Sequence, residues 1–208
     1  CYGRDVKIEG GLAEGGGGEK SYLWQMSYDM VVFEDCGVAK DLEVSNIKTS
    51  AYFRRIVGDM CDTDTSETVF VRVYPKLNVD LALIEKTDFK CVGQRFSMKM
   101  NKEDLDSVKA DCEAAFGDEF ESVSVLISRA DGTETDSLSE GRSFATFGGI
   151  DGDYSDFYVK TVVRAGLNVC ESEQSVMRAY SARPIEAERN EVEATSLFPC
   201  NGSIVDVF

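Results

Sequence analysis

The stretch Glu67-Thr-Val-Phe-Val-Arg-Val-Tyr74 opens the part of the chain, residues 67–117, that decides the fold class. Its valines alternate with Phe, Arg and Tyr, so an extended strand here has one uniformly apolar face. Pro75 cannot donate a ladder hydrogen bond, so it ends this strand or places it at a sheet edge. Two further alternating stretches follow at residues 77–83 and 96–100. The region therefore predicts three successive strands.

A helix is predicted after these strands, at about residues 102–117. Asn101 is suited to cap its N-terminus, and Asp104 stands three residues later, as in a capping box. Gly117 can adopt the left-handed conformation that commonly ends a helix. One apolar stripe at helical spacing faces the core and consists of Leu105, Val108, Cys112, Ala115 and Phe116. Together these signals predict an α+β fold with a predominantly antiparallel β-sheet core and one helix packed on it.

The rest of the chain predicts further strands, a few loops and one short helix. Aromatic and β-branched residues indicate strands within 21–33, 122–128, 157–164 and 204–208. Residues 41–60 fit either a strand or a helix, because short apolar patterns do not separate the two. Residues 133–142 are polar and predict an exposed loop. Residues 172–181 predict a short helix that stops before Pro184.

The predicted domain organisation is a glycine-rich arm at residues 1–20 followed by a single domain at residues 21–208. The arm contains the run Gly15 to Gly18 and has little to bury, which is typical of a flexible tether or an exposed loop. Residues 5–9 alternate enough for one short strand, able to pair at an edge of its own domain or of a neighbouring molecule.

Seven cysteines and the absence of histidine set the redox and metal chemistry. No two cysteines are close enough in sequence for a zinc or iron–sulfur site, so dispersed disulfides are the favoured interpretation. The disulfide candidates are Cys36, Cys61, Cys91, Cys112, Cys170 and Cys200. Cys1 is the odd cysteine, and it is either lipidated, bonded to another chain, or paired so that another thiol is left free. Such cysteines favour an extracellular or cell-surface location, with a secretory lumen or periplasm included; the alternative is a reduced cytosolic protein with buried thiols.

The chain is strongly acidic, with 38 acidic against 22 basic residues and a formal net charge of −16. Nucleic-acid affinity comes largely from Lys and Arg, so nucleic acid and anionic membranes are poor partners for this surface. A basic protein, a divalent cation or simple solubility fits the charge better. No stretch reaches the roughly 18 apolar residues of a membrane span.

One loop has the spacing of a calcium site. Oxygen-bearing side chains alternate at Asp151, Asp153 and Ser155, followed by Asp156, and alternate oxygens can converge on a hard cation. The loop lacks the glycine and the bidentate glutamate of an EF-hand, and a polar turn explains the same residues. Ca²⁺ is the only cofactor candidate. Asn201 begins a glycosylation sequon, which matters only in a eukaryotic secretory route.

No catalytic constellation is apparent, and the lack of histidine excludes Ser–His–acid, Cys–His and His-bearing metal sites. The sequence therefore predicts a non-enzymatic protein, secreted or at the cell surface, with a structural or interaction role through protein partners or self-association by its N-terminal arm. One alternative is a lipid-anchored or soluble envelope binding domain with a calcium-stabilised loop. A second alternative is a carboxylate-dependent hydrolase.

Overall fold

The computed structural model describes residues 1–86 and 90–183 of the 208-residue chain. The chain divides into two compact units, Cys1–Lys76 and Leu77–Phe208, here called unit 1 and unit 2. This differs from the predicted single domain at 21–208, since the boundary falls inside the stretch from which the fold class was derived. No glycine- or serine-rich linker marks the boundary, so composition gave no signal of it.

Unit 1 consists of β-strands. They are β1 Arg4–Ile8, β2 Ser21–Ser27, β3 Glu34–Gly37, β4 Leu42–Ile47, β5 Ala51–Gly58, β6 Thr63–Thr65 and β7 Val69–Val71. β1 and β4 form one antiparallel pair, and a second sheet has the order β3-β2-β5-β6, with β7 also pairing with β5. Residues 41–60, which fitted either a strand or a helix, are thus two strands.

The core of unit 1 lies between its two sheets. Trp24, Ala51 and Phe53 are buried from the larger sheet, and Leu42 and Ile47 are buried from the β1–β4 pair. Because the buried side chains come from both sheets, the unit has two layers around one apolar interior.

Residues 1–20 belong to this unit, and the short strand predicted at residues 5–9 is present as β1. β1 pairs with β4 of the same unit. The Gly10 amide donates to the Asp41 carboxylate at 2.9 Å, and the Gly17 amide donates to Asp59 at 2.9 Å. Asp59 also pairs with Lys20 at 2.9 Å, and its side chain is only 5% exposed. These partners lie about 30 to 40 residues away, so the glycine run alone did not reveal them.

The described residues of unit 2, 77–86 and 90–183, form one α-helix and the remaining strands. They are β8 Glu85–Lys86, β9 Lys90–Cys91, β10 Phe96–Lys99, α1 Lys102–Phe116, β11 Phe120–Arg129, β12 Thr135–Ser139, β13 Phe144–Phe147, β14 Tyr154–Ala165, β15 Asn168–Glu171 and β16 Ser175–Ala182. The smaller sheet has the order β13-β10-β8, and the larger has the order β12-β11-β14-β16-β9 with β15 also beside β14. β16 and β9 run parallel, and the other pairs are antiparallel. The predicted α+β class with a mostly antiparallel core and one helix is confirmed.

The core of unit 2 is formed by the facing sides of its two sheets. Phe96, Met98 and Phe147 come from the smaller sheet and are almost fully buried, as are Phe157 and Val159 from the larger sheet. The period-2 burial on each strand follows from the alternation that the sequence showed at 96–100 and 157–164.

Helix α1 has the predicted boundaries and N-cap. The Asn101 side chain accepts from the Asp104 amide at 2.8 Å. Gly117 ends the helix with φ +62° and ψ −142°, a conformation open to glycine but outside the predicted left-handed helical region. Cys112 and Phe116 are the buried residues of the helix. Local cap signals therefore located this element from sequence alone.

Three other local predictions in unit 2 were wrong. Residues 77–83 form no strand, although Val79, Leu81 and Leu83 pack against the core, because Asp80 caps a 3₁₀ turn at Leu81–Leu83. Residues 135–139, predicted as loop, form β12 beside β11, and the fully buried Leu138 explains why. The helix predicted at residues 172–181 is absent, and Ser175–Ala182 form β16 beside β14. The elements proposed within 184–208 lie outside the described residues.

The cysteines also differ from the prediction. Cys1, Cys91 and Cys170 are disulfide-bonded, whereas Cys36, Cys61 and Cys112 are free. Cys1 is therefore in a disulfide while other thiols are free, and a disulfide-bonded sulfur cannot carry a thioether-linked lipid. Cys112, one of the disulfide candidates, is instead a free thiol buried in unit 2. Cys200 and Asn201 lie outside the described residues.

The rate of thiol labelling should distinguish the exposed thiols of Cys36 and Cys61 from the buried thiol of Cys112. Under native conditions we expect iodoacetamide to modify Cys36 and Cys61, which are exposed, and to leave Cys112 unmodified until the chain is unfolded. Burial also raises the pKa of the Cys112 thiol, with a further contribution from Asp111, so less reactive thiolate is present. Peptide mapping by mass spectrometry measures the extent at each site. Modification of Cys112 at the rate of Cys61 in the folded protein would contradict its place in the core.

Candidate interaction surface

The proposed calcium ligands do not converge in the structure. They are Asp151, Asp153, Ser155 and Asp156. Asp153 pairs with Arg183 at 2.7 Å, and Asp156 pairs with Arg178 at 2.7 Å, so each carboxylate already faces a cation. In the part of the chain that the structure describes, no three Asp, Glu, Cys or His side chains form a group able to hold a metal. Asp151 and Asp153 precede β14, and Ser155 and Asp156 belong to its first residues.

The more distinctive feature is an exposed aromatic surface on the larger sheet of unit 2. We call it the tyrosine face. It comprises Tyr154, Asp156 and Tyr158 of β14 and Val176, Arg178 and Tyr180 of β16. Tyr154, Val176 and Tyr180 are 50%, 57% and 53% exposed, and Tyr158 is 37% exposed. Four large apolar side chains thus meet solvent on two adjacent strands.

Strand periodicity explains why these side chains share one face. Phe157 and Val159 of β14 point into the core, as do Met177 and Ala179 of β16. Their neighbours in sequence must therefore point to the opposite side of the sheet. The tyrosine face is the outer side of the same two strands that build the core.

The antiparallel register places the six residues in three cross-strand pairs. Tyr154 is opposite Tyr180, Asp156 is opposite Arg178, and Tyr158 is opposite Val176. The rings of Tyr154 and Tyr180 are 6.3 Å apart between centroids and tilted by 58°. The Arg178 guanidinium carbon lies 4.0 Å from the centre of the Tyr154 ring, within the range of a cation–π contact.

A planar ion pair lies between the aromatic pairs. Arg178 donates from Nε and Nη2 to the two carboxylate oxygens of Asp156, at 2.7 and 3.0 Å. This hydrogen bonding lowers the pKa of Asp156 and raises the pKa of Arg178, so both remain charged at neutral pH. The bidentate geometry fixes the guanidinium plane. This ion pair orients the Arg178 guanidinium beside the Tyr154 ring.

The sequence contained part of this surface. The alternation at 157–164 correctly placed Tyr158 and Lys160 opposite Phe157 and Val159. The residues of β16 were missed because residues 172–181 were predicted to form a helix. If Val176 to Tyr180 had been interpreted as a strand, the alternation of its side chains would have placed Val176 and Tyr180 on the outer side and Met177 in the core.

A groove beside helix α1 is a second concave feature of unit 2. It has a volume of about 380 Å³ and lies between α1 and strands β11 and β12, with Val123 and Leu138 among its apolar lining. Lys109 at the groove bonds Glu140 at 2.7 Å and approaches Glu113 at 3.8 Å. The cation that a ligand would meet there is already paired with two acids.

No helix in residues 1–86 and 90–183 has the length and apolar character needed to cross a membrane. The disulfide-bonded Cys1, Cys91 and Cys170 are consistent with an extracellular location, since disulfides persist in oxidising environments.

Comparison with known proteins adds a family match at the N-terminus. Residues 1–75 match a family described as a domain of unknown function (DUF8696), and this match ends one residue before the boundary of unit 1 at Lys76. The two boundaries agree, although one comes from sequence and the other from contacts in the structure. A search of curated proteins returns no match.

Several solved structures of fibronectin domains are similar to this chain at low identity. The FN1–FN3 domains of chicken CNTN1 are 6% identical with a TM-score of 0.39, covering 86% of this chain and 64% of that one. Fibronectin(III)-like modules of Clostridium thermocellum CbhA are 11% identical with a TM-score of 0.38, covering 91% and 92%. A two-domain fibronectin type-III segment of chicken tenascin is 7% identical with a TM-score of 0.30, covering 86% and 94%. This chain thus spans 64% of the length of the CNTN1 fragment, and no function is assigned from these similarities.

Proposed function

We propose that this chain is an extracellular or cell-surface interaction protein that binds its partner through the tyrosine face and has no catalytic role of its own. The observation that carries the proposal is the exposure of Tyr154, Tyr158, Tyr180 and Val176 on one rigid sheet surface. Contiguous exposed apolar side chains on a folded protein mark interaction sites more often than isolated ones do. Tyr and Arg, both present here, are enriched among the residues that dominate binding energies.

The alternatives drawn from the sequence receive less support. Self-association through residues 1–20 is not part of the proposal, because β1 already pairs with β4 of its own unit. A carboxylate-dependent hydrolase is not proposed either, because none of the 38 acids forms a pair in a recognisable catalytic context in the sequence. The disulfide-bonded cysteines support the extracellular location.

Removal of the tyrosine rings should abolish binding to cells. We expect a fluorescent fusion of the full chain to bind intact cells of its source organism, and the variant Tyr154→Thr/Tyr158→Thr/Tyr180→Thr to fall to background. Threonine removes the aromatic surface and keeps a high β-propensity, so the strands should remain paired. Flow cytometry over a concentration series measures the bound fraction.

The matched control is Tyr28→Thr in unit 1, since Tyr28 is 62% exposed and lies outside the tyrosine face. This variant should bind like the wild type. Circular dichroism of each variant checks that the fold is unchanged. A triple variant that binds as well as the wild type, or a wild type that binds no cells, would refute the proposed function.

A further inference from the structure

The side chains of the tyrosine face carry no net charge. Asp156 pairs with Arg178 at 2.7 Å within the face, and Lys160 pairs with Glu171 at 2.7 Å beside it on β14 and β15. Lys86 donates to the Arg178 carbonyl at 2.8 Å at the edge of the face, so one positive charge lies beside two neutral pairs on a chain whose formal net charge is −16. A basic partner, which the overall charge favours, gains no advantage at this surface. The local electrostatics fit an uncharged ligand.

The aromatic groups form an extended platform rather than a single contact point. Tyr154 and Tyr180 are opposite each other, and Tyr158 lies four residues farther along β14. At the usual rise of a strand this separation is about 13 Å. The platform is therefore long enough for a chain of several small rings and too open to enclose one small molecule.

Polar side chains that can form hydrogen bonds with a ligand lie between the tyrosine rings and beside them. The Asp156–Arg178 pair separates the Tyr154–Tyr180 pair from Tyr158. A carboxylate offers about four lone-pair sites and a guanidinium five N–H groups, so the pair has more hydrogen-bonding positions than its mutual contacts use.

The hydroxyl groups of the neighbouring strands extend this polar surface. Ser128 of β11 is opposite Tyr158, and Thr135 of β12 donates to the Ser128 hydroxyl at 3.0 Å. Tyrosine rings, paired planar charges and hydroxyls thus follow one another across four strands.

A sugar ring matches this combination of groups. The C–H groups of a pyranose carry partial positive charge and pack against the negative face of an aromatic ring. Its hydroxyls both donate and accept, so adjacent hydroxyls can bond a carboxylate and a guanidinium at once. We propose that the tyrosine face binds a neutral oligosaccharide or polysaccharide, an inference that rests on the proposed function. A protein partner is the competing outcome.

Periodate distinguishes the two classes of partner in the cell-binding assay. Periodate cleaves the vicinal diols of sugars, so prior treatment of the cells should remove binding of the wild-type chain, whereas mock-treated cells should retain it. Binding that survives periodate but is lost after protease treatment would overturn the saccharide proposal and leave the proposed function intact. A triple tyrosine variant that binds untreated cells like the wild type would overturn both.

Affinity electrophoresis in gels that contain neutral polysaccharides then measures the contribution of each residue. Each single substitution, Tyr154→Thr, Tyr158→Thr or Tyr180→Thr, should raise the dissociation constant about threefold to tenfold, and the triple variant on the order of a hundredfold. Arg178→Lys retains the charge but loses the planar fork, so it should also weaken binding. Tyr28→Thr should leave the dissociation constant unchanged. Equal retardation of the wild type and the triple variant would contradict sugar stacking on these rings.

Discussion

Replacement of Phe157 by alanine is expected to destabilise unit 2 by about 3–5 kcal/mol. Phe157 is fully buried on β14, and its ring centroid lies 5.3 Å from that of Phe96 and 5.0 Å from that of Phe147. Since Phe96 and Phe147 belong to the smaller sheet, the three rings join the two layers of the unit. Loss of the Phe157 ring removes both edge-to-face contacts and leaves a cavity that packed neighbours fill only partly. Urea unfolding followed by circular dichroism at 222 nm, where α1 contributes, measures the change.

Two further substitutions define the cause of this loss. Phe157→Leu retains much of the buried volume, so it should cost clearly less than alanine. Phe144→Ala removes the same side chain from β13, where Phe144 is 59% exposed, and should change the free energy of unfolding by no more than about 0.5 kcal/mol. If Phe157→Ala were no more costly than Phe144→Ala, the three rings would not be the centre of this core.

The sequence predicted those elements whose signals are local. Helix α1 was located because its N-cap, Asn101, and its terminator, Gly117, are adjacent to it in the chain. β14 was recognised because its apolar alternation is long. By contrast, β16 has eight residues against twelve in β14, and what makes it a strand is pairing with β14 about twenty residues earlier. Such pairing depends on tertiary contacts that no short pattern contains.

For the same reason, the sequence predicted only a part of the tyrosine face, which lies on β14. Tyr158 was placed on the outer side of a strand, but its partners on β16 depend on the register between β14 and β16. In the stretch from Asp151 to Asp156, a local pattern suggested an interaction for side chains that have other partners in the structure. Alternating oxygens suggested a bound cation. In the structure, Arg178 and Arg183, more than twenty residues later, form ion pairs with Asp156 and Asp153 respectively. Composition does not show which charges meet in space.

Replacement of Arg129 by alanine should destabilise unit 2 by about 2–3 kcal/mol. The Arg129 side chain is 10% exposed and donates to Glu134 at 2.7 Å, to the Gly148 carbonyl at 3.0 Å and to Ser155 at 3.3 Å. It thereby ties the β11–β12 hairpin to the segment after β13 and to β14. Its removal leaves buried acceptors without their donor, although the 37% exposure of the Glu134 side chain lets water compensate in part. Urea unfolding at pH 7 measures the loss.

The pH dependence of the Glu134→Gln variant tests whether the charge of the Arg129–Glu134 ion pair contributes to the stability of unit 2. Burial raises the pKa of Glu134, but hydrogen bonds from Arg129 and the Gly148 amide outweigh it, so the pKa lies below its usual value near 4.5. A lowered carboxyl pKa contributes stability that is complete above the unfolded value and is lost as the pH falls through the folded value. Wild type should therefore exceed Glu134→Gln by about 1 kcal/mol at pH 7, and the difference should shrink between pH 4.5 and pH 3. Because the remaining acids titrate alike in both proteins, the difference isolates Glu134. A gap that stays constant over this range would mean that shape and hydrogen bonding, rather than the ion pair, hold the hairpin in place.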